Sequence, residues 1–134
     1  MYSIEEVNFK DSVEIKKLLM NSKSIAVDKG KLLKEILMHI DNKEGCVAKK
    51  IVDGDRLLGI WLSKEFETHT SLSYFYVAEE IRRKSIVIEF FMSCMVLISK
   101  DKSLVICAKD TTGFSRYVEP IEGQKDTYVF KGFR

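Results

Sequence analysis

Apolar positions recur along the chain with two periods, and the places where the period changes mark the elements. Tyr2 to Val7 reads as a short first strand. Asp11 then offers an N-cap, with Glu14 three residues on to complete a capping box. The helix that follows places Val13, Ile15, Leu18 and Leu19 largely on one side. Asn21-Ser22-Lys23-Ser24 is a polar break that ends it. Asp28 is the next N-cap. Leu32, Leu33, Ile36, Leu37 and Ile40 then fall at helical spacing, opposite Lys31, Lys34 and Glu35. His39 lies beside that stripe, with no Cys, His or carboxylate at ligand spacing, and reads as the edge of a packed face.

The middle of the chain is strand-rich. Cys46 to Val52 and Leu57 to Leu62 flank Asp53-Gly54-Asp55-Arg56, a strong hairpin signal. Thr70 to Val77 alternates, with Leu72, Tyr74 and Tyr76 on one face and Phe75 and Val77 on the other. A long helix is predicted from about Arg82 to Ser99, and Leu104 to Ala108 as a fully buried strand. Thr111 to Val118 suggests a short helix ended by Pro120, and Thr127 to Phe130 a last strand. Strands and helices mix without strict alternation. That excludes a simple Rossmann repeat and favours a single α+β domain spanning residues 1–134 with a mixed sheet.

Composition narrows this picture. The chain has 134 residues, 46% hydrophobic and 31% charged, which suits one globular domain rather than disorder. Twenty-two basic against 20 acidic side chains leave a net charge of +2, so nothing demands a nucleic acid or an anionic membrane. The most apolar run, Ile86 to Ile98, is interrupted by Glu89 and Ser93 and falls short of the roughly 20 residues that span a bilayer. The N-terminus lacks the basic-then-apolar pattern of a signal peptide. Cys46, Cys94 and Cys107 are odd in number and widely spaced, as buried free thiols in a reducing compartment would be. No metal-ligand spacing occurs among them. A cytoplasmic location is the expectation.

The stretch with chemical content is Val77-Ala78-Glu79-Glu80-Ile81-Arg82-Arg83-Lys84-Ser85-Ile86-Val87, between an aromatic strand and an apolar helix. A helix start presents unpaired N–H groups and the positive end of the dipole, a ready site for an anion. Cations at that end run against the dipole. Arg82, Arg83 and Lys84 therefore hold a phosphate or are solvated charges tempered by Glu79 and Glu80.

These residues resemble the acetyl-coenzyme A motif of the GCN5-related N-acetyltransferases. That motif reads roughly Val-x-Pro-Glu-x-Arg-Gly-Lys-Gly-x-Gly, after the fourth strand and into the third helix. Val77, Glu80, Arg82 and Lys84 match it, while Arg83, Ser85 and Val87 replace its three glycines. A second echo, Asp110, Gly113 and Tyr117, keeps the spacing of the family's C-terminal motif. The element order also fits over nearly the whole chain. The resemblance implies a mostly antiparallel sheet flanked by helices. It implies acetyl-coenzyme A bound at Val77, Arg82, Arg83, Lys84, Ser85 and Val87, an amine acceptor, and Tyr117 as the acid that protonates the leaving thiolate. For Tyr117, a ring packing against the sheet is the plainer alternative.

No general base stands out. Glu65, Glu67 and His69 cluster before the aromatic strand, in a stretch that also reads as a solvated loop. Two classes of function therefore stand side by side. One is a small acetyltransferase. The other is a noncatalytic chain of the same fold that binds a protein, as do phage virion components that resemble acetyltransferases.

Overall fold

The computed structural model describes residues 1–20, 34, 38, 45–98, 100–107 and 115–132. Its strands are β1 (Tyr2–Glu6), β2 (Cys46–Asp53), β3 (Arg56–Glu65), β4 (His69–Val77), β5 (Ser103–Cys107), β6 (Val118–Pro120) and β7 (Thr127–Phe130). The helices are α1 (Ser12–Met20) and α2 (Ser85–Met95). All seven strands join one sheet in the order β1-β2-β3-β4-β5-β7-β6. Every neighbouring pair is antiparallel except β4 and β5. This is the α+β fold with a mostly antiparallel sheet that the sequence pattern and the resemblance led us to expect. Among the described residues, no helix is long and apolar enough to cross a membrane.

The two faces of the sheet carry two cores. Ile15 of α1 is fully buried against Val7, Val52, Leu57, Ile60 and Leu62. On the other face Phe90, Phe91 and Cys94 of α2 pack on Ile51, Trp61, Leu72, Val77 and Leu104. β3 lies between them and is buried from Leu57 to Ser63, because neighbours flank it on both edges and helices cover both faces. Trp61 is the pivot of the α2 face. It meets Phe75 and Phe91 edge-on, with centroids 5.9 and 5.1 Å away, and its Nε1 donates to Ser63 Oγ at 2.9 Å.

Several local expectations shift. Asn8, not Asp11, is the first cap: its side chain accepts from Lys10 N, and Asp11 Oδ2 accepts from Asn8 N at 2.7 Å. A 3-10 turn, Phe9–Asp11, precedes α1 and so takes the capping box three residues upstream. The other oxygen of Asp11 meets Lys50 Nζ at 2.6 Å, pairing a buried lysine. Val13 is exposed rather than in the stripe with Ile15. The predicted helix at Asp28–Ile40, with His39, lies outside the described residues, apart from Lys34 and Met38, which are helical. β5 is not fully buried: Leu104 is, Val105 and Ile106 are half-buried, and Cys107 is exposed. It sits near the end of the sheet, with only β7 and the short β6 beyond it. Of the three thiols Cys94 alone is buried. Pro120 closes the edge strand β6 rather than ending a helix, an edge being where a missing N–H is tolerated.

The β2–β3 hairpin forms as expected. Asp53 pairs with Arg56, and Gly54 takes a φ of 62° at the first central position, as a type II′ turn requires.

Candidate functional site

Two departures from regular pairing shape β4. The first is a bulge. Leu62 pairs with Tyr74 while Ser63 pairs with Leu72, so Ser73 is an extra residue on β4. One extra residue reverses the side-chain parity. Leu72 therefore joins Phe75 and Val77 on the α2 face, while Tyr74 and Tyr76 turn to the α1 face. The simple alternation expected from the sequence, with Leu72 beside the two tyrosines, is corrected by that bulge.

The second is an opening. β4 and β5 pair in parallel from His69↔Ser103 to Leu72↔Ile106 and no further. From Tyr74 to Val77, β4 pairs with β3 alone among the described residues. The edge facing β5 thus offers main-chain donors and acceptors over that open stretch, and such groups seek partners.

The open stretch runs directly into a helix start. Ala78 N donates to Leu58 O at 2.7 Å, which ends β4. A 3-10 turn, Glu79–Ile81, follows, with Ile81 buried as its anchor. Lys84 then adopts an extended conformation as the N-cap of α2, so the helix begins at Ser85 and not at Arg82 as expected. It also ends earlier, at Met95. No side chain caps α2, and its first turn holds no acid. Its positive end is therefore left to an external anion or to water.

The four residues Arg82, Arg83, Lys84 and Ser85 are exposed around that end. Arg82 bends back on the sheet: its Nε donates to Val77 O at 3.0 Å, and its guanidinium lies 5.3 Å from the centre of the Tyr76 ring. It pins the turn to the end of β4. Arg56 and Glu80 form an ion pair beside it. Val87, in place of a small residue, is half-buried and packs against the α2-face core. Its bulk thus goes into the helix–sheet contact. Tyr74 and Tyr76 stack with centroids 6.4 Å apart on the α1 face of the open stretch. Burial pushes the Tyr74 hydroxyl above its ordinary pKa, Tyr76 adds to this, and Arg82 opposes it.

Tyr117 ends a 3-10 turn, Ser115–Tyr117, at the start of β6. β6 lies beyond β7, so Tyr117 belongs to the β5 side of the opening and residues 77–87 to the β4 side. Its ring is half-buried, with the Arg116 guanidinium 5.4 Å from its centre, and its carbonyl accepts from Lys131 N at 2.7 Å. Asp110 and Gly113 lie outside the described residues. Glu65, Glu67 and His69 sit at the other end of β4. There Glu65 pairs with Lys102 at 2.9 Å, and His69 stacks on Phe66 with its Nδ1 3.0 Å from Thr68 Oγ1. Of the three only Glu67 lies in the loop, since Glu65 closes β3 and His69 opens β4, and the structure does not bring them to the opening.

Five antiparallel pairs, a sheet flanked by helices and one parallel pair that opens toward a helix start define the GCN5-related N-acetyltransferase fold, and this chain has it. The chain is similar to the PaiA N-acetyltransferase of Thermoplasma acidophilum, solved with coenzyme A. The two share 13% identity over 96% of each chain, with a TM-score of 0.77. It is similar to a GNAT-family acetyltransferase of Brucella melitensis solved with acetyl-CoA, at 11% identity over 97% of this chain and 87% of that one, with a TM-score of 0.71. Ard1 of Thermoplasma volcanium matches 96% of this chain and 94% of its own, at 14% identity and a TM-score of 0.70. No family model and no curated protein matches the sequence. At such identities the likeness establishes the fold.

Proposed function

We propose that the chain binds acetyl-coenzyme A in the opening between β4 and β5 and transfers the acetyl group to an amine. One observation carries this reading. Among the described residues the β4–β5 pairing stops at Leu72↔Ile106, and the freed strand edge leads straight into an uncapped helix start ringed by cations. The fit is good on the protein's side. The side chains at the former glycine positions 83 and 85 are exposed, and that at 87 packs on the core; the Val87 N–H donates to Lys84 O, so the N–H groups of Ser85 and Ile86 are the ones turned toward phosphate oxygens.

When bound, the cofactor supplies an activated acetyl thioester. The main-chain groups from Tyr74 to Val77 that face the opening would hold the cofactor, and one of their N–H groups would polarise the thioester carbonyl. Arg83 and Lys84 neutralise the phosphates, Arg83 with the planar fork suited to phosphate oxygens. Arg82 positions the turn through Val77 O and Tyr76 rather than serving as a phosphate ligand. As the amine nitrogen bonds to the acetyl carbon and the C–S bond breaks, Tyr117 Oη would give its proton to the thiolate, and the proton lost by the amine would pass to solvent. The fold neighbours solved with coenzyme A and with acetyl-CoA support this reading.

The noncatalytic reading draws on a different feature. Ile88, Met92 and Val96 form an exposed apolar ridge at i, i+4 and i+8 along α2. Such a ridge suits a protein partner.

Calorimetric titration with acetyl-coenzyme A and free coenzyme A separates the two readings. Saturable binding is expected, and ligand at a hundred times its dissociation constant adds about 2.7 kcal/mol to stability in a melt. Absence of binding at millimolar ligand overturns the transferase reading in favour of the partner-binding one.

A further inference from the structure

The two margins of the sheet are not alike. At one margin β6 is three residues long and ends in Pro120, which has no N–H to offer. At the other, β1 runs over five residues without Pro or Lys and is exposed throughout. Its register with β2 has no bulge, and among the described residues it pairs with β2 alone. β2 and β3 separate it from the β4–β5 opening, so this edge is independent of the cofactor reading.

The pairing with β2 decides which main-chain groups are left over. Val7 N donates to Ala48 O at 3.0 Å, and the register, continued one step from Glu6↔Lys49, sets these two residues opposite each other. An N–H bond between opposed residues marks a hydrogen-bonded pair, and such pairs alternate along an antiparallel ladder. Glu5 with Lys50 and Ser3 with Val52 are therefore the next bonded pairs. Tyr2, Ile4 and Glu6 turn their N–H and C=O groups away from β2, onto the bare edge. Their side chains lie on the α2 face, since Ile4 stands opposite Ile51 of that core. Charge, the usual guard of an edge, is offset here. Lys49 Nζ lies 3.7 Å from Glu6, and Lys50 Nζ 3.8 Å from Glu5.

We propose that β1 pairs antiparallel with β1 of a second copy of this chain, about a two-fold axis at Ile4, joining two sheets into one. In that register Ile4 faces Ile4 of the other copy, and Tyr2 faces Glu6. Every outward N–H and C=O is then satisfied, by two hydrogen bonds for each of three opposed pairs. No like charges stand opposite each other. An axis at Glu5 also matches outward residues, but it sets Glu5 against Glu5 and leaves Tyr2 unbonded. An axis at Ser3 leaves Glu6 unbonded. The edge is thus complementary to itself in one register, which favours a second copy over an arbitrary strand. Five residues a side is less than a standard interface, so the dimer dissociates on dilution.

The test is sedimentation velocity of the full chain from about 1 mM down to about 10 μM, a range suited to weak association. A shift from dimer to monomer is expected. Amide hydrogen exchange locates it: the Ile4 and Glu6 N–H groups should be protected at least tenfold more in the concentrated sample, while Ser3 and Glu5 are equally protected in both. Ile4→Pro removes one outward donor from each copy and no bond within the chain. It should melt close to the dilute parent and associate at least tenfold more weakly, the value of two lost hydrogen bonds. Ile4→Glu keeps every N–H but sets like charges opposite each other, and should weaken association by at least as much. Ile4→Val should associate like the parent. A monomer at every concentration overturns the pairing and leaves the edge to an extended segment of another protein. A dimer that Ile4→Glu does not weaken, or one without added protection at Ile4 and Glu6, overturns β1 as its seat.

Discussion

The two ends of β4 have opposite characters although one strand carries both. From His69 to Leu72 the strand is held on both edges, by β3 and by β5. From Tyr74 to Val77 it is held on one among the described residues. The bulge at Ser73 stands between them. At the closed end the polar groups belong to side chains, the hydroxyls of Thr70 and Ser63. At the open end they belong to the main chain. A strand edge left unpaired needs a partner from elsewhere, so the position where pairing stops, rather than any one side chain, is what makes the opening a candidate binding groove.

Inserting one residue between Tyr74 and Phe75 should break the contrast most severely. The parity after Tyr74 would reverse, driving Phe75 and Val77 off the α2-face core and Tyr76 into it. Loss of cooperative thermal unfolding, followed by near-ultraviolet circular dichroism, is the expected result. Next comes Trp61→Ala, which empties the centre of the α2 face and costs about 4 kcal/mol in chemical denaturation. Gly59→Ala attacks the open end and, through Ile51 Cγ2 at 3.1 Å, the core beside it. A Cβ there would meet Tyr76 O at 2.8 Å and lie 3.0 Å from Val77 Cγ1. About 2 kcal/mol of destabilisation is expected, with coenzyme A binding impaired beyond what the melt explains.

Arg83→Ala with Lys84→Ala touches only the exposed helix start. Stability should stay within about 0.5 kcal/mol, while coenzyme A affinity measured by calorimetry falls at least tenfold. An unchanged affinity would remove the phosphate role from both residues. The smallest effect concerns Cys94. Burial pushes its thiol up to about 12 from an ordinary 9.0. A raised folded-state pKa means stability that is complete below pH 9 and lost as pH rises toward 12, because the unfolded chain gives up the proton first. Cys94→Ala should flatten that alkaline slope. In the native protein at pH 8, a thiol reagent should modify exposed Cys107 well before Cys94.

Much of this was legible in the chain itself. The hairpin at Asp53–Arg56 was readable because two strand-forming runs flank Gly54, which can take the positive φ of a tight turn. The cation run at 82–84 singles out the corner where β4 runs into α2, since like charges at a helix start ask for a counter-ion. Local pattern starts α2 three residues early, at Arg82 rather than Ser85. Arg82 to Lys84 have good helix propensity, but Arg82 is held by Val77 O and the Tyr76 ring, and Lys84 is extended. Those are contacts with a neighbouring strand, and local propensity does not register them.

The bulge and the opening lie further from the sequence still. Alternation in Leu72, Tyr74 and Tyr76 implies one face, and no residue type at position 73 announces an extra residue. The Leu62–Tyr74 and Ser63–Leu72 pairings, made with a strand some ten residues away, create it. Which main-chain groups β1 leaves bare is decided the same way, by its pairing with β2 far along the chain. Periodicity, turn residues and the charge at 82–84 act over a few neighbours, so the elements, their order and the corner of interest follow from the chain alone. Register, strand parting and the groups left bare on an edge depend on residues far apart in sequence, and packing settles them.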